Sequence, residues 1–181
     1  MTGEAYNFVP TRMRRIVTDA KEKRSSSATR KPRRCYDTGA CLCSFSDPIL
    51  VRCSRCGHPG SLRLDARERE SRDWQGIRRF ACEKCAYSYE WKPRTIVHSV
   101  RDWNNRLPLL LQIPCCGEVL WAFNERHLNF LGNYASALLR ERIGNSNASL
   151  ASRLPLWIKS AKNRRAVLRG IGRLQKLLQT V

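Results

Sequence analysis

Four cysteines in the first half of the chain give the clearest chemical signal in the sequence. Cys53 and Cys56 form one C-x2-C pair, and Cys82 and Cys85 form a second pair after residues 57–81. Two residues between cysteines let a tight backbone turn, or knuckle, present both sulfurs to one ion, and a second knuckle completes a tetrahedron. We therefore predict that these four cysteines bind one structural Zn²⁺ ion.

Other uses of these thiols fit the sequence less well. A thioredoxin-like redox pair would occur once, at a strand-to-helix junction in a βαβ unit. An iron–sulfur cluster also takes four thiolates and stays open as an alternative. A catalytic zinc ion would recruit histidine or a carboxylate and keep one position open. His58 follows Cys56 closely, but four sulfurs already fill the shell.

Strand patterns flank each knuckle. The first lies between "DPILVRC" and "SLRL", and the second between "RRFAC" and "AYSYEWK". The segment from Asp47 to Trp91 resembles the zinc ribbons of transcription and replication factors. The later stretches "PCCGEVLWAFNERHLNFL", "LLRER" and "SRLPLWIKSAKNR" resemble bacterial proteins described only as containing a zinc ribbon. This resemblance implies zinc but no particular reaction.

The charge of the chain indicates its partner. Lys and Arg number 34 against 15 acidic residues, which gives a net charge of +19. Residues 1–34 hold 10 basic and 3 acidic residues, and residues 140–181 hold 10 basic residues and one acid. A surplus of this size repels itself unless a polyanion neutralises it, so DNA or RNA is the expected partner.

An anionic membrane surface is the competing partner, but the sequence argues against it. No apolar run approaches the roughly 20 residues of a spanning helix, and the N-terminus lacks a secretory signal pattern. We therefore expect a cytoplasmic protein, nucleoid-associated in a bacterium, whose thiols stay reduced. Nine cysteines is also an odd number, which fits a closed set of disulfides poorly.

The predicted fold class is α+β, in three regions. Residues 1–46 form a basic, largely disordered tail, residues 47–94 an antiparallel zinc ribbon, and residues 95–181 an apolar β-hairpin followed by helices. The hairpin turns at "PCCG". Its apolar positions alternate before the turn at Leu109, Leu111 and Ile113, and after it at Val119, Trp121 and Phe123.

Helical patterns fill the remainder of the chain. Asn124 is a good N-cap, and the apolar stripe of the helix that follows runs through Leu128, Leu131, Tyr134, Ala135, Leu138 and Leu139. "LRER" is predicted as the last turn of that helix. Pro155 fits the first turn of a short helix, and Asn163 is placed to cap the last one. The apolar side of the last helix comprises Val167, Ile171, Leu174, Leu177 and Leu178.

Basic residues of the tail and the C-terminal helices are predicted to contact phosphates. They are Arg30, Lys31, Arg33, Arg34, Lys159, Lys162, Arg164, Arg165, Arg169 and Arg173. A helix-turn-helix is conceivable in this region, but its turn has no persuasive signature. Three aromatic residues on one strand face, Tyr87, Tyr89 and Trp91, could stack on bases, but packing within the small ribbon is favoured.

The remaining cysteines leave two questions open. Cys41, Cys43, Cys115 and Cys116 could form a second metal site, although adjacent cysteines are a poor chelate for zinc. For Cys115 and Cys116 the favoured interpretation is that they are small buried hydrophobes at a tight turn. Cys35, unpaired among arginines, could be a reactive thiol of low pKa.

The sequence contains no catalytic motif. Its clustered acids are Asp65, Glu68, Glu70 and Asp73, which could belong to a nuclease but more plausibly offset neighbouring arginines. We therefore predict a non-enzymatic, zinc-stabilised protein that binds DNA or RNA through phosphates, without a small-molecule substrate and without membrane contact. The alternative is an adaptor whose ribbon and hairpin dock another protein in a transcription, replication or mobile-element complex.

Overall fold

A computed structural model describes residues 34–71, 76–92, 107–142 and 149–180. As predicted, the fold class is α+β, with antiparallel sheets followed by a helical C-terminal region. The strands are β1 (Arg34–Asp37), β2 (Ile49–Arg52), β3 (Pro59–Leu64), β4 (Arg78–Ala81), β5 (Ser88–Trp91), β6 (Leu111–Cys115), β7 (Glu118–Ala122) and β8 (Leu139–Arg142). The helices are α1 (Ala66–Glu70), α2 (Glu125–Ser136), α3 (Leu150–Arg153), α4 (Leu156–Lys159) and α5 (Arg164–Gln179), with 3-10 turns at Leu42–Phe45 and Ala161–Asn163. Every helix in these ranges is too short or too polar to span a lipid bilayer.

Strands β2 to β5 form one antiparallel sheet in sequence order, which we call the ribbon sheet. Alternation along its strands separates a buried face from an exposed one. In β4, Arg78 and Phe80 are buried, whereas Arg79 and Ala81 are exposed. The buried face packs around Phe80, and the two cysteine knuckles occupy the turns at one end of the sheet.

Strands β6 and β7 form the predicted hairpin. Its two-residue turn is Cys116-Gly117, and both residues have positive φ, 57° and 80°, which is typical of a type I′ turn. Of the apolar positions predicted to alternate after the turn, Phe123 is buried and Trp121 is half-buried, but Val119 is not buried. Because this turn pairs Ile113 with Leu120, Leu120 faces the core and Val119 is 40% exposed.

Helix α2 begins as predicted but ends earlier. Asn124 caps it, because its side chain accepts a hydrogen bond from the backbone N–H of His127 at 3.0 Å. The helix stops at Ser136, and "LRER" is strand β8 rather than a last helical turn. Leu138, 62% exposed, does not continue the apolar stripe.

The partner of β8 explains this difference. Strand β1 pairs with β8 in parallel, from Arg34 opposite Leu139 to Asp37 opposite Arg142. Residues 34–46, the end of the predicted largely disordered tail, contain β1 and a 3-10 turn. The earlier part of the predicted tail, residues 1–33, lies outside the described residues.

Helix α5 closes the C-terminal core. It begins after Asn163, as predicted, but the Asn163 side chain does not cap it and donates instead to the carbonyl of Trp157. Its buried side packs against α2 and the hairpin. The approach to the hairpin is close at Gly170, where a Cβ would lie 2.8 Å from Leu120 Cδ2.

Backbone hydrogen bonds join the ribbon sheet to the segments that flank the hairpin. The amide of Leu50 donates to the carbonyl of Phe123 at 2.8 Å, and the amide of Leu110 donates to the carbonyl of Leu50 at 3.0 Å. The amide of Arg52 also donates to the carbonyl of Pro108. These bonds cross the predicted domain boundary at residues 94 and 95, whose position stays a prediction.

Candidate metal centre and basic surfaces

Each cysteine pair lies on a tight turn that connects two strands of the ribbon sheet. In the first knuckle the amide of Gly57 donates to the carbonyl of Cys53 at 2.9 Å, and Gly57 has a positive φ of 72°. Ala86 occupies the matching position of the second knuckle with φ of 55°. A left-handed conformation costs about 1–2 kcal/mol for a residue with a Cβ, so the second turn is held against a local preference.

The two knuckles bring all four thiols together. The Sγ atoms of Cys53 and Cys85 are 3.7 Å apart, and those of Cys56 and Cys82 are 3.5 Å apart. All four sulfurs lie within 4.8 Å of one another. A tetrahedral ion with Zn–S bonds of about 2.3 Å separates its sulfurs by about 3.8 Å. The spacing therefore fits a single tetrahedral metal ion.

The protonation energetics of this cluster also fit a bound cation. Burial raises the pKa of Cys53, but backbone N–H groups of Cys56 and Arg55 outweigh it and lower that pKa to about 7. A backbone hydrogen bond from His58 lowers the pKa of Cys56, yet burial and the neighbouring thiols raise it to about 12. The thiols of Cys53 and Cys56 therefore do not both ionise near neutral pH without a balancing positive charge, which a divalent metal ion would supply.

Side chains other than cysteine do not join this group. The ring nitrogen Nδ1 of His58 lies 3.0 Å from the carbonyl oxygen of Cys56. Within the described ranges, the four cysteines are the one group of three or more His, Cys, Asp or Glu side chains that could hold a metal. Of the acids singled out from the sequence, Asp65 caps α1 by accepting from the amide of Arg67, and Asp73 lies outside those ranges.

The second metal site left open by the sequence is not assembled within the described residues. Cys41 and Cys43 are joined by a disulfide, so the expectation that every thiol of the chain stays reduced is wrong for this pair. The 3-10 turn at Leu42–Phe45 brings their Cα atoms to 5.3 Å, which is within the usual range for a disulfide. Cys115 and Cys116 stay free thiols.

Cys35 is not a thiol of low pKa. Burial and the nearby Asp37 raise its pKa, and the opposing influence of Arg140 does not overcome them. The side chain lines a cavity of about 170 Å³ together with Tyr134 and Lys159, among others. Its environment therefore disfavours the thiolate that a reactive cysteine needs.

The aromatic residues of β5 and its preceding turn pack within the sheet, as favoured from the sequence. The ring centroid of Tyr89 lies 5.1 Å from that of Phe80, and Tyr87 lies 5.4 Å from Tyr89. The guanidinium of Arg55 lies over the Tyr87 ring at 3.9 Å, so this ring face is covered. Tyr87 and Tyr89 are accordingly half-buried.

The predicted phosphate contacts fall into three groups. Arg30, Lys31 and Arg33 lie outside the described residues. Three others make internal contacts: Arg34 pairs with Glu141 at 2.6 Å, Lys159 donates to the carbonyl of Ser152, and Arg164 donates to that of Ala137. The remaining four are exposed: Lys162, Arg165, Arg169 and Arg173.

Two side chains with structural roles had no clear signal in the sequence. The guanidinium of Arg78 is buried and donates to the carbonyl and hydroxyl oxygens of Ser46. His127 is 2% exposed, and burial lowers the pKa of its imidazole to about 3.

No protein-family model, curated protein sequence or solved structure matches the chain.

Proposed function

We propose that this protein is a non-enzymatic, zinc-stabilised protein that binds DNA or RNA through phosphates, and that the exposed face of α5 is its main contact surface. Five basic residues along this face and the turn before it form what we call the basic stripe: Lys162, Arg165, Arg169, Arg173 and Lys176. All five are exposed, and Lys176 extends the set that the sequence predicted. The basic stripe is the single observation that supports this function best.

The spacing of the basic stripe suits a polyanion. Its residues follow one another at steps of three or four, so they project from one side of the helix. Val167, Ile171 and Leu174 are buried on the opposite side. From Arg165 to Lys176 the stripe extends about 16 Å at roughly 1.5 Å per residue. Phosphates of one duplex strand recur about every 3.4 Å along the axis, so a run of several phosphates lies within its reach.

Few acidic groups are available to neutralise this surface. No Asp or Glu follows Glu141 in the sequence, and none of the ion pairs found in the described ranges involves α5. Like charges at i and i+4 on a helix repel by a few tenths of a kcal/mol per pair. A bound phosphate chain would relieve this repulsion, which favours binding through the stripe over a purely solvating role.

The four-cysteine cluster supports the zinc half of the proposal. Thiolate sulfurs in a tetrahedron are the usual shell of structural zinc, and Cys53, Cys56, Cys82 and Cys85 would supply these sulfurs here. Four sulfurs leave no coordination position for a substrate or an activated water. The ion would thus fix the ribbon sheet, while binding would depend on basic residues elsewhere.

The test compares two triple substitutions of equal charge in zinc-loaded protein. One removes three cations of the stripe (Arg165→Gln, Arg169→Gln, Arg173→Gln), and the control removes three exposed cations of the ribbon sheet and α1 (Arg52→Gln, Arg63→Gln, Arg67→Gln). Binding to a labelled duplex and to its single strand is measured by fluorescence anisotropy at several salt concentrations. Each phosphate contact contributes a log–log slope of about −0.9 for duplex or −0.7 for single strands.

The stripe variant is expected to lose about 2–3 units of that slope, uniformly across oligonucleotide sequences, and the control to keep most of it. Equal losses in both variants would mean that net charge, and not α5, determines binding. A flat salt dependence of the parent, with salt-resistant capture of one protein, would favour the adaptor function instead.

A further inference from the structure

Two cysteines at the tip of the hairpin remain outside the metal centre. Cys115 is the last residue of β6, and Cys116 is the first residue of the type I′ turn. Their Sγ atoms are 3.8 Å apart. Cys116 is exposed, whereas Cys115 is 8% exposed. The tip therefore presents one accessible thiol with a second thiol directly beneath it.

The surrounding structure holds this pair in place. The turn is closed by β6–β7 pairing of Cys115 with Glu118, which leaves Cys116 and Gly117 in fixed left-handed conformations. On the inner side, helix α5 approaches at Gly170, where a Cβ would lie 3.7 Å from the Cys115 sulfur. A ligand that binds both sulfurs would thus require little rearrangement of the backbone, and a preorganised site of this kind binds its ligand more tightly.

The distance between the sulfurs suits a single bridging atom. It equals the roughly 3.8 Å that separates two sulfurs on one tetrahedral zinc ion. However, no third His, Cys, Asp or Glu ligand joins Cys115 and Cys116 among the described residues. The site therefore cannot complete the shell of an ion that needs four protein ligands. It does supply every protein ligand of a soft, thiol-binding atom that needs only two sulfurs.

We propose that Cys115 and Cys116 form a second thiol site that binds a thiophilic trivalent metalloid centre, of which a monosubstituted organoarsenical is the test ligand. Each sulfur replaces one hydroxide on the hydrated arsenical and forms one As–S bond. Each thiol proton leaves with its hydroxide as water, so two waters are released. Arsenic stays trivalent, and no oxidant or reductant is needed.

The different environments of the two thiols give the reaction an order. Cys116 is exposed and meets the arsenical first. Burial raises the pKa of Cys115 to about 11, although Arg169 and Arg173 act to lower it. Its proton is therefore retained at neutral pH until the bound arsenic lies next to it. The second As–S bond is intramolecular, so it should strengthen binding by roughly 10²-fold over a single bond.

The experiment uses phenylarsine oxide on the full chain with its metal bound, followed by intact and native mass spectrometry. The parent is expected to bind one phenylarsenic group that resists excess monothiol and is removed by a small dithiol. Cys115→Ser and Cys116→Ser should each convert it to an adduct that monothiol removes. The matched control Cys35→Ser, which removes another free thiol, should behave as the parent does.

Metal content and circular dichroism are recorded on every sample, so that an unfolded variant is recognised. A monothiol-resistant adduct that persists in Cys116→Ser would overturn the proposal. So would an adduct that forms on the parent only as the ribbon metal is lost, since the ribbon thiols would then be the arsenical site. Neither result depends on whether the basic stripe binds nucleic acid.

Discussion

The ribbon sheet and the hairpin–helix region bury their apolar side chains to different extents. Around the ribbon sheet, the buried cluster is the smaller one, and two of its members, Cys53 and Cys82, are candidate metal ligands. The cluster beneath the hairpin, α2 and α5 is larger and is mainly aliphatic and aromatic. A small sheet with so few buried apolar side chains needs a stabilising cross-link such as a bound metal ion, whereas the helical region has a hydrophobic core of its own.

The charged side chains of the ribbon sheet region and of α5 also differ. In the ribbon sheet region, two arginines have acidic partners, in the pairs of Arg69 with Asp47 and Arg79 with Glu90. On α5 the exposed side is basic, and no acid follows Glu141 in the sequence. The candidate metal ligands and the basic face of α5 therefore belong to different parts of one fold.

The largest expected effect is loss of the metal. In Cys53→Ser the ribbon sheet should lose its ion and unfold, because structural zinc supplies about 10–16 kcal/mol of binding free energy in zinc-finger peptides. Helices α2 and α5 should keep their hydrogen-exchange protection, because their core does not include the metal ligands. Native mass spectrometry of metal content, combined with hydrogen exchange resolved by segment, measures both.

The matched control for this substitution is Cys35→Ser, which changes a thiol outside the candidate metal site. One zinc ion per parent chain, retained until acidification, is expected, because the thiolate ligands must become protonated to release it. Unchanged protection of β3 and β4 in Cys53→Ser would show that the sheet does not depend on the ion.

The parts of the fold that could be predicted from the sequence are those set by local patterns. The two C-x2-C pairs indicated the clustered thiols, and Asn124 indicated the start of α2. Each of these signals acts over a few residues. The hairpin was likewise predicted, but its exact register followed from a turn of two residues, which the sequence did not specify.

The features that were missed depend on contacts between distant segments. Strand β8 forms because β1, more than a hundred residues earlier, offers its backbone, and "LRER" by itself has an acceptable helical pattern. Which basic residues make internal contacts and which stay exposed also depends on contacts between distant segments. Arg164 and Arg165 are adjacent, yet only Arg164 reaches the carbonyl of Ala137 at the end of α2.

A core substitution tests the other half of the comparison. Leu120 is fully buried between the hairpin and α5, and Leu120→Ala should lower the free energy of unfolding by about 3 kcal/mol through lost burial and a residual cavity. The neighbouring Val119→Ala, at a 40% exposed position, is the control and should cost less than about 1 kcal/mol. Urea unfolding followed by circular dichroism gives both values.

Metal content should stay at one ion per chain in Leu120→Ala under native conditions, because the buried candidate ligands Cys53 and Cys82 belong to the other cluster. If the variant instead releases its metal while still folded, the two regions are more strongly coupled than their separate cores suggest. That outcome would direct attention to the backbone bonds between Leu50, Leu110 and Phe123.

The smallest expected effect is the pH dependence of stability caused by His127. Its ring is packed against Phe45 and Trp121, and its Nδ1 accepts a hydrogen bond from the amide of Phe123 at 3.2 Å. Burial lowers the pKa of this imidazole to about 3, whereas the unfolded chain has the ordinary value near 6.5. Between these values the unfolded state binds a proton that the native state excludes, so stability falls as the pH falls.

From pH 7 to pH 5 this single group should destabilise the protein by about 2 kcal/mol. His127→Asn keeps an acceptor near the position of Nδ1 and removes the titrating ring, so the variant should lack this part of the decline. Loss of metal at low pH affects both proteins, and the difference between their unfolding free energies isolates the histidine. Parallel pH profiles would mean that His127 titrates in the folded protein as it does in the unfolded chain, which would contradict its placement in the core.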